Sequence, residues 1–217
     1  MEIEGYGITL LRLTRNDIEF LREKRNLPEV NEYMEYREHI TSEAQKLWFE
    51  KINNEFNNYF LIEYNGQRVG LISGAEINWE KKITGNGGLF FWDTSYWGTT
   101  VPVCASFLLT EISFLIGFRK IFIRTLHENV RAVEFNKAMG YVKEDGHDKS
   151  QNQLYSLTPE NFDKATLTLR NVLRKKYPKF SLRLFQPFDS MSQRVYDAVR
   201  TANSSVIDMQ IIRNDGQ

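Results

Sequence analysis

The stretch Gly87–Tyr141 holds the residues whose types and order could do chemistry. An aromatic-rich apolar run, Leu89–Trp92, has strand composition. A polar loop from Asp93 to Thr100 follows it, and Val101–Phe118 then reads as a helix mostly hidden from water. A loop that feeds a helix N-terminus presents unpaired backbone N–H groups and the positive end of the helix dipole, which suits a phosphate or pyrophosphate. An ordinary strand-to-helix turn reads the same way. Two titratable residues stand nearby. His127 is a candidate base near neutrality. Glu76, at the end of the preceding strand, is a candidate base acting through a water. A solvent-facing loop histidine and an exposed strand-end carboxylate are the plainer readings of the two. Trp92, Tyr96 and Trp97 have the faces to stack on an adenine or a sugar, or to fill a core.

The elements that must position these residues follow from pattern. Ile121–Ile123 reads as a short strand and Val130–Met139 as a helix, so the order from Leu89 is strand, loop, helix, strand, helix. The two strands are expected to be parallel or nearly so, joined by a right-handed crossover. Upstream, Ile8–Leu13 reads as a first strand, followed by capping side chains at Thr14–Asp17 and a helix running to Arg25. Asn26-Leu27-Pro28 breaks it. Glu29–Met34 reads as a further helical turn or two, and Ser42 with Gln45 as the capping box of the next helix. Tyr59–Tyr64 and Arg68–Ile77 are strands joined at Asn65-Gly66, the strongest hairpin signal in the chain. Asn78–Asn86 reads as a charged turn. Tyr141–Glu144 and Asn152–Leu157 read as two more strands, and a helix from about Glu160 ends at Pro178. Strand Phe180–Phe185, helix Ser190–Ala202 and strand Val206–Ile212 complete the reading.

Composition bounds the class. The 217 residues are 41% hydrophobic and 26% charged, enough for a globular domain with an appendage. The 28 basic residues balance the 28 acidic ones, so no global field recruits nucleic acid or an anionic membrane. One cysteine excludes an intrachain disulfide, and three scattered histidines show no metal-ligand spacing. No run approaches the roughly 18 apolar residues of a membrane span, and the acids near the N-terminus do not read as a signal peptide. A cytoplasmic setting is the expectation. Charge is uneven along the chain: residues 166–217 carry nine basic and four acidic residues, against 19 and 24 in residues 1–165. That shift suggests a boundary near residue 165, with domain 1–165 and an extension 166–217.

Three stretches carry a resemblance over residues 8 to about 165. Asn129–Ala132 through Phe135–Tyr141 is similar to the motif N-x-x-A-x-x-x-Y-x-K-x-G-F. Tyr96-Trp97-Gly98 precedes an apolar helix, and Asn152–Phe162 (NQLYSLTPENF) is similar to a closing strand with a "Y-S-L-T-x-E-x-F" ending. With them the chain resembles the GNAT superfamily of acyl-CoA-dependent N-acetyltransferases. Arg25–Pro28, Met34, Ile40–Ser42 and Trp48-Phe49 look like the branch that acetylates nucleotide-linked amino sugars, the pseudaminic-acid-pathway type. The ribosomal-protein N-terminal acetyltransferases share part of this layout.

The resemblance implies an α/β (α+β) fold: a mixed central sheet with a V-shaped splay between two strands, helices on both faces, and here a small C-terminal αβαβ extension. It implies acetyl-CoA as co-substrate, no metal, and direct transfer to a primary amine of a small molecule, with an amino sugar on a nucleotide carrier as the acceptor. A protein N-terminus as acceptor, or a binding module without catalysis, are the alternatives. Phe91 and Trp92 would border the thioester, on a strand splayed from its neighbour by a bulge. Trp97, Gly98, Thr99, Thr100 and Val101 would hold the pyrophosphate, with Asn129 and Phe135 along the pantetheine arm. Arg25, Asn26 and Met34 would line the acceptor side, with Glu76 and His127 as catalytic bases. Aligned on Gly98, the family's Q/R-x-x-G-x-G/A pattern finds no match at Trp97, Thr100 or Pro102. Thr100 adds a side chain where backbone should meet phosphate, Pro102 lacks a donor, and the Thr99 and Thr100 hydroxyls are the expected substitutes. The tyrosine that protonates the leaving thiolate is expected at Phe135, which has no proton to give. The extension is expected to pack on the core or on a second subunit, as in a homodimer.

Overall fold

A computed structural model describes residues 1–213. The chain begins with a hairpin, β1 (Glu2–Gly5) and β2 (Ile8–Arg12). Its two-residue turn, Tyr6-Gly7, has positive φ at both positions (54° and 75°), the backbone twist that suits a tight hairpin. A tyrosine is an uncommon choice there, and β1 lay outside the strands expected from sequence. Helices α1 (Ile18–Arg25), α2 (Pro28–Asn31) and α3 (Ser42–Ile52) follow. Thr41, not Ser42, caps α3: its hydroxyl accepts from Ala44 N–H at 3.1 Å.

Strands β3 (Asn58–Tyr64) and β4 (Gln67–Ala75) are the hairpin signalled by Asn65-Gly66, both residues again at positive φ. Next come β5 (Ile83–Thr84), inside the stretch expected to be turn, and β6 (Asn86–Phe91). Then α4 (Val101–Leu115), β7 (Lys120–Leu126), α5 (Val130–Ala138), β8 (Val142–Lys143) and β9 (Asn152–Leu157) complete the strand–helix alternation. The last elements are α6 (Pro159–Lys176), β10 (Phe180–Gln186), α7 (Ser190–Ala202) and β11 (Ile207–Arg213).

Two sheets result, in orders β11-β10-β1-β2-β3-β4-β6 and β5-β7-β9-β8. They meet where β6 and β7 stand side by side without forming a ladder, so the expected mixed sheet and V-shaped splay are present. β7 pairs in parallel with the two-residue β5, which the single residue Gly85 joins to β6, and forms no ladder with β6 itself. The V closes at Gly87, where a Cβ would lie 3.2 Å from Ile123 Cγ2 and 3.1 Å from Ser73 O. No bulge produces the splay: the β4–β6 ladder runs from Gly70↔Phe91 to Ala75↔Asn86 without a register shift. Glycine permits close contact at that end, and Leu89 and Phe91 line the opening beyond it.

Helices cover both faces. The larger core packs α4, α6 and α7 on one face around Phe60, Phe107, Phe162 and Phe180. A smaller core packs α1, α2 and α3 on the other around Leu61, Leu71 and Trp92. The C-terminal strands join the main sheet, β10 lying antiparallel to β1 and parallel to β11. Residue 165 falls inside α6, which continues across the charge boundary. A buried ionic cluster ties this region in. Glu111 of α4 accepts from Arg170 Nη1 at 2.7 Å and from Arg174 and the Tyr6 hydroxyl, and Arg170 also meets Asp163. Burial, then the bond to Glu111, pushes the Tyr6 phenol well above its ordinary value. Among the described residues no helix is long and apolar enough to cross a membrane.

Candidate active site

The splay opens a cleft of about 450 Å³ that passes between β6 and β7 and is lined from both faces of the sheet. Pro102, Ser106 and Thr110 line it from α4, and Val30, Tyr33 and Met34 from the α2 side. Backbone direction decides what β6 offers. Trp92 N–H donates to Val69 O, so by two-residue alternation Phe90 and Gly88 face β4. The N–H groups of Phe91 and Leu89 therefore point into the splay, where no strand pairs with them. Two polar side-chain atoms on the cleft wall also lack partners, Thr84 Oγ1 and Asn58 Oδ1. A buried polar atom without a partner carries a free-energy penalty that a bound ligand relieves.

The turn between β6 and α4 is tightly self-bonded. Trp97 N–H donates to Thr94 O at 3.1 Å and Thr99 N–H to Tyr96 O at 3.0 Å. The Thr99 hydroxyl donates to Tyr96 O and accepts from Val101 N–H, so it is not free to replace a lost phosphate contact. Pro102 has no N–H to give. Asp93, Thr94, Gly98 and Thr100 of the turn, and Val103 in the first turn of α4, have N–H groups outside this bonding, and a Cβ on Gly98 would meet nothing within 4 Å. The turn is open outward at Gly98, as a cradle for a phosphate must be, and next to the helix its remaining donors are the N–H groups of Gly98, Thr100 and Val103.

A strap roofs the mouth. Asn26 anchors its base, with its amide bonded both ways to the backbone of Ile40 at 2.9 and 2.8 Å. Arg37 then pairs with Glu128 at 2.9 Å, Asn152 donates to Glu35 at 2.9 Å, and the Tyr33 ring meets Trp97 edge-on at 5.3 Å. Asn26 is thus a structural residue of the strap rather than a cleft residue. Met34 does line the cleft. Arg25 stands beside it: its guanidinium lies over the Phe90 ring at 5.5 Å, Nε has no partner, and burial lowers its pKa.

Of the other residues expected at the site, Phe91, Trp97, Asn129 and Phe135 line the cleft. Asn129 also caps α5, accepting from Ala132 N–H at 3.1 Å. Trp92 points to the opposite face, packing edge-on against Phe20 and donating to Arg68 O at 2.9 Å. Val101 is buried in the larger core. Neither expected base is in the cleft. His127 is exposed, its backbone and ring held toward Gln151 O. Glu76 sits at φ 54° on a bend that turns it against Gly85 and a second cavity bordered by Trp79 and Arg194. Left-handed backbone there aims the carboxylate away from the splay.

Fixed on Asn129 and Gly140, the motif's tyrosine falls at Asn136, one residue beyond Phe135. Asn136 lines the cleft and donates to Thr125 Oγ1 at 2.9 Å. Tyr141 lines it too, its phenol pushed up by burial. A phenol held protonated donates a hydrogen bond and does not serve as a base at neutral pH. Sequence reasoning passed over Arg131, Asn58, Thr84 and Tyr141. For Arg131 the signal was its place in the first turn of α5. Among the described residues no group of three or more His, Cys, Asp or Glu could hold a metal ion.

The Acetyltransferase (GNAT) domain family matches residues 8–142, more than half of the chain. This chain belongs to the GNAT acetyltransferase family. Solved GNAT structures share its fold at low identity. Spermidine N-acetyltransferase from Vibrio cholerae, in complex with CoA and spermine, is 19% identical over 72% of this chain and 98% of its own, with a TM-score of 0.60. Aminoglycoside acetyltransferase AAC(6')-Ib, in complex with coenzyme A, is 17% identical over 72% and 98%, TM-score 0.60. A ribosomal L7/L12 α-N-protein acetyltransferase in complex with CoA is 15% identical over 70% and 94%, TM-score 0.59. No curated protein sequence matches the chain. The family match ends at residue 142, so β9, α6, β10, α7 and β11 of this GNAT chain lie beyond it.

Proposed function

We propose that this GNAT protein transfers an acetyl group from acetyl-CoA to a primary amine of a small molecule. The observation that carries the reading is the pair of free backbone N–H groups, Leu89 and Phe91, facing a cleft that passes through the sheet. An acyl-pantetheine arm lying along β6 would bond to such amides as a further strand would. One of them would then sit where negative charge develops on the thioester oxygen as the amine attacks. A preorganised donor in a site shielded from water typically accounts for about 3 kcal/mol of barrier lowering. Holding amine and thioester together in the cleft supplies the rest. The proton of the attacking amine leaves to water and the departing thiolate takes one up from water, since neither His127 nor Glu76 reaches the cleft.

The acceptor would enter from the α2 side. Glu29 and Glu35 line that side, and Asn58 Oδ1 is an acceptor atom without a donor. These groups suit a protonated amine, as do the spermine and aminoglycoside named for the similar structures. An amino sugar on a nucleotide carrier is the second reading. One observation favours it: Arg25, half-buried and among the described residues without a carboxylate partner, is placed to meet an anionic group.

Calorimetry with acetyl-CoA tests the donor half of the proposal. Binding at a Kd within about 1 mM, the upper range of ordinary substrate constants, is expected. No binding would leave a GNAT-fold module without catalysis. A panel of polyamines, aminoglycosides, nucleotide amino sugars and peptides, followed by release of free CoA thiol, then identifies the acceptor.

A further inference from the structure

We propose that Arg131, held flat by Trp97, is the group that grips the diphosphate of the acyl donor in place of the backbone turn; this rests on the acetyl-CoA reading above. Half of the N–H groups that such a turn would present are lost to it, because Trp97, Thr99 and Val101 N–H are already bonded and Pro102 has none, which leaves Gly98, Thr100 and Val103. Across the mouth, Arg131 rises from the first turn of α5, and its guanidinium carbon lies 3.8 Å over the Trp97 ring. Tyr33 stands beside the pair, its ring 5.8 Å from the guanidinium and packed edge-on against Trp97, so the strap holds the stack in place.

Stacking uses the face of the guanidinium and leaves its in-plane N–H groups free. Those groups match a phosphate bidentately. The neighbouring carboxylates do not compete: Glu128 is paired with Arg37 at 2.9 Å and Glu134 with Lys137 at 2.8 Å. Among the described residues Arg131 makes no ion pair. An oriented, unpaired cation over the one aromatic residue of the turn that lines the cleft, beside the outward-open Gly98, is an anion site set by side chains instead of glycine amides. Trp97, which breaks the family's loop pattern, is then the platform that makes the substitution work.

The test compares two donors, acetyl-CoA and S-acetylpantetheine, which carries the same thioester without the diphosphate. Wild type, Arg131→Ala and Arg131→Lys are assayed with each, and CoA affinity is measured by calorimetry. Arg131→Ala is expected to raise KM for acetyl-CoA and Kd for CoA by about 10- to 100-fold, the range for losing a charge-assisted contact. The penalty with S-acetylpantetheine should be at least about tenfold smaller. Arg131→Lys should recover part of the loss, since a lysine keeps the charge and loses the plane. Equal penalties with both donors, or none with either, overturn the role of Arg131 while leaving acetyl transfer standing. A wild-type protein that binds no CoA and uses neither donor sinks the transferase reading and this proposal with it.

Discussion

Replacing Glu111 by glutamine removes the one charge that Arg170, Arg174 and the Tyr6 hydroxyl share. The side chains of Glu111 and Arg170 are each only 5% exposed, so solvent cannot take over the lost interaction. Removing one partner of a buried ion pair costs about 3–5 kcal/mol, because the other charge stays buried without compensation. Arg170 keeps Asp163, itself well exposed, which argues for the lower end, about 3 kcal/mol. Against a typical total of about 5–15 kcal/mol that is a large fraction. For a chain of this size it corresponds to a fall of about 6–12 °C in Tm. Urea and thermal unfolding of Glu111→Gln measure it. A second variant, carrying Glu111→Leu, Arg170→Met and Arg174→Met together, separates charge imbalance from lost packing. Apolar groups of similar volume leave no orphaned charge, so this variant should be more stable than Glu111→Gln. The cluster joins α4, α6 and the Tyr6-Gly7 turn, so Glu111→Gln should also speed limited proteolysis beyond residue 158. A Glu111→Gln loss below about 1 kcal/mol, or a triple variant as weak as the single one, would refute the reasoning.

Two further consequences are open to measurement. Burial pushes the Asp189 carboxyl up, but the Arg12 guanidinium at 3.1 Å and the Ser192 N–H outweigh it, leaving the pKa below its ordinary value. A depressed carboxylate stabilises the fold fully above the ordinary aspartate value of about 3.9 and loses that contribution as pH falls toward the native value. The stability gap between wild type and Asp189→Asn in urea should therefore be wide at neutral pH and shrink toward pH 3; a gap that stays constant contradicts it. Gly140 ends α5 at φ 94°, with Gly140 N–H bonded to Lys137 O and Tyr141 N–H to Asn136 O, and a Cβ there would lie 2.5 Å from Asn161 O. Gly140→Ala should destabilise by about 1–3 kcal/mol in urea unfolding, whereas Gly66→Ala, with open space around it, should lose less.

Much of the architecture was legible because local chemistry and tertiary packing agree. Asn65-Gly66 supplies two residues at ease with positive φ, and the apolar run Val101–Phe118 can only be a buried helix. β1 escaped notice because Tyr6 occupies a left-handed turn position that its type does not advertise; Glu111 holds it there from 105 residues away. The site was legible as a region and less so as a set of side chains. Strand alternation sends Phe91 to the cleft and Trp92 to the opposite core, which a one-residue difference in register decides. Glu76 reads as a strand end beside the cleft, but its left-handed backbone turns it outward. Arg131 and Trp97 lie 34 residues apart in sequence, and nothing local to either announces their stack. The missing bulge is a difference of mechanism, since Gly87 closes the V and lets β6 run straight.

Amide hydrogen exchange with and without acetyl-CoA tests the central claim at the atoms concerned. Leu89 and Phe91 N–H, which face the splay, should exchange readily in the free protein and slow when the donor is added. Gly88 and Phe90 N–H, already directed to β4, should change little. If acetyl-CoA binds while Leu89 and Phe91 exchange as before, the thioester does not lie along β6 and the account is wrong.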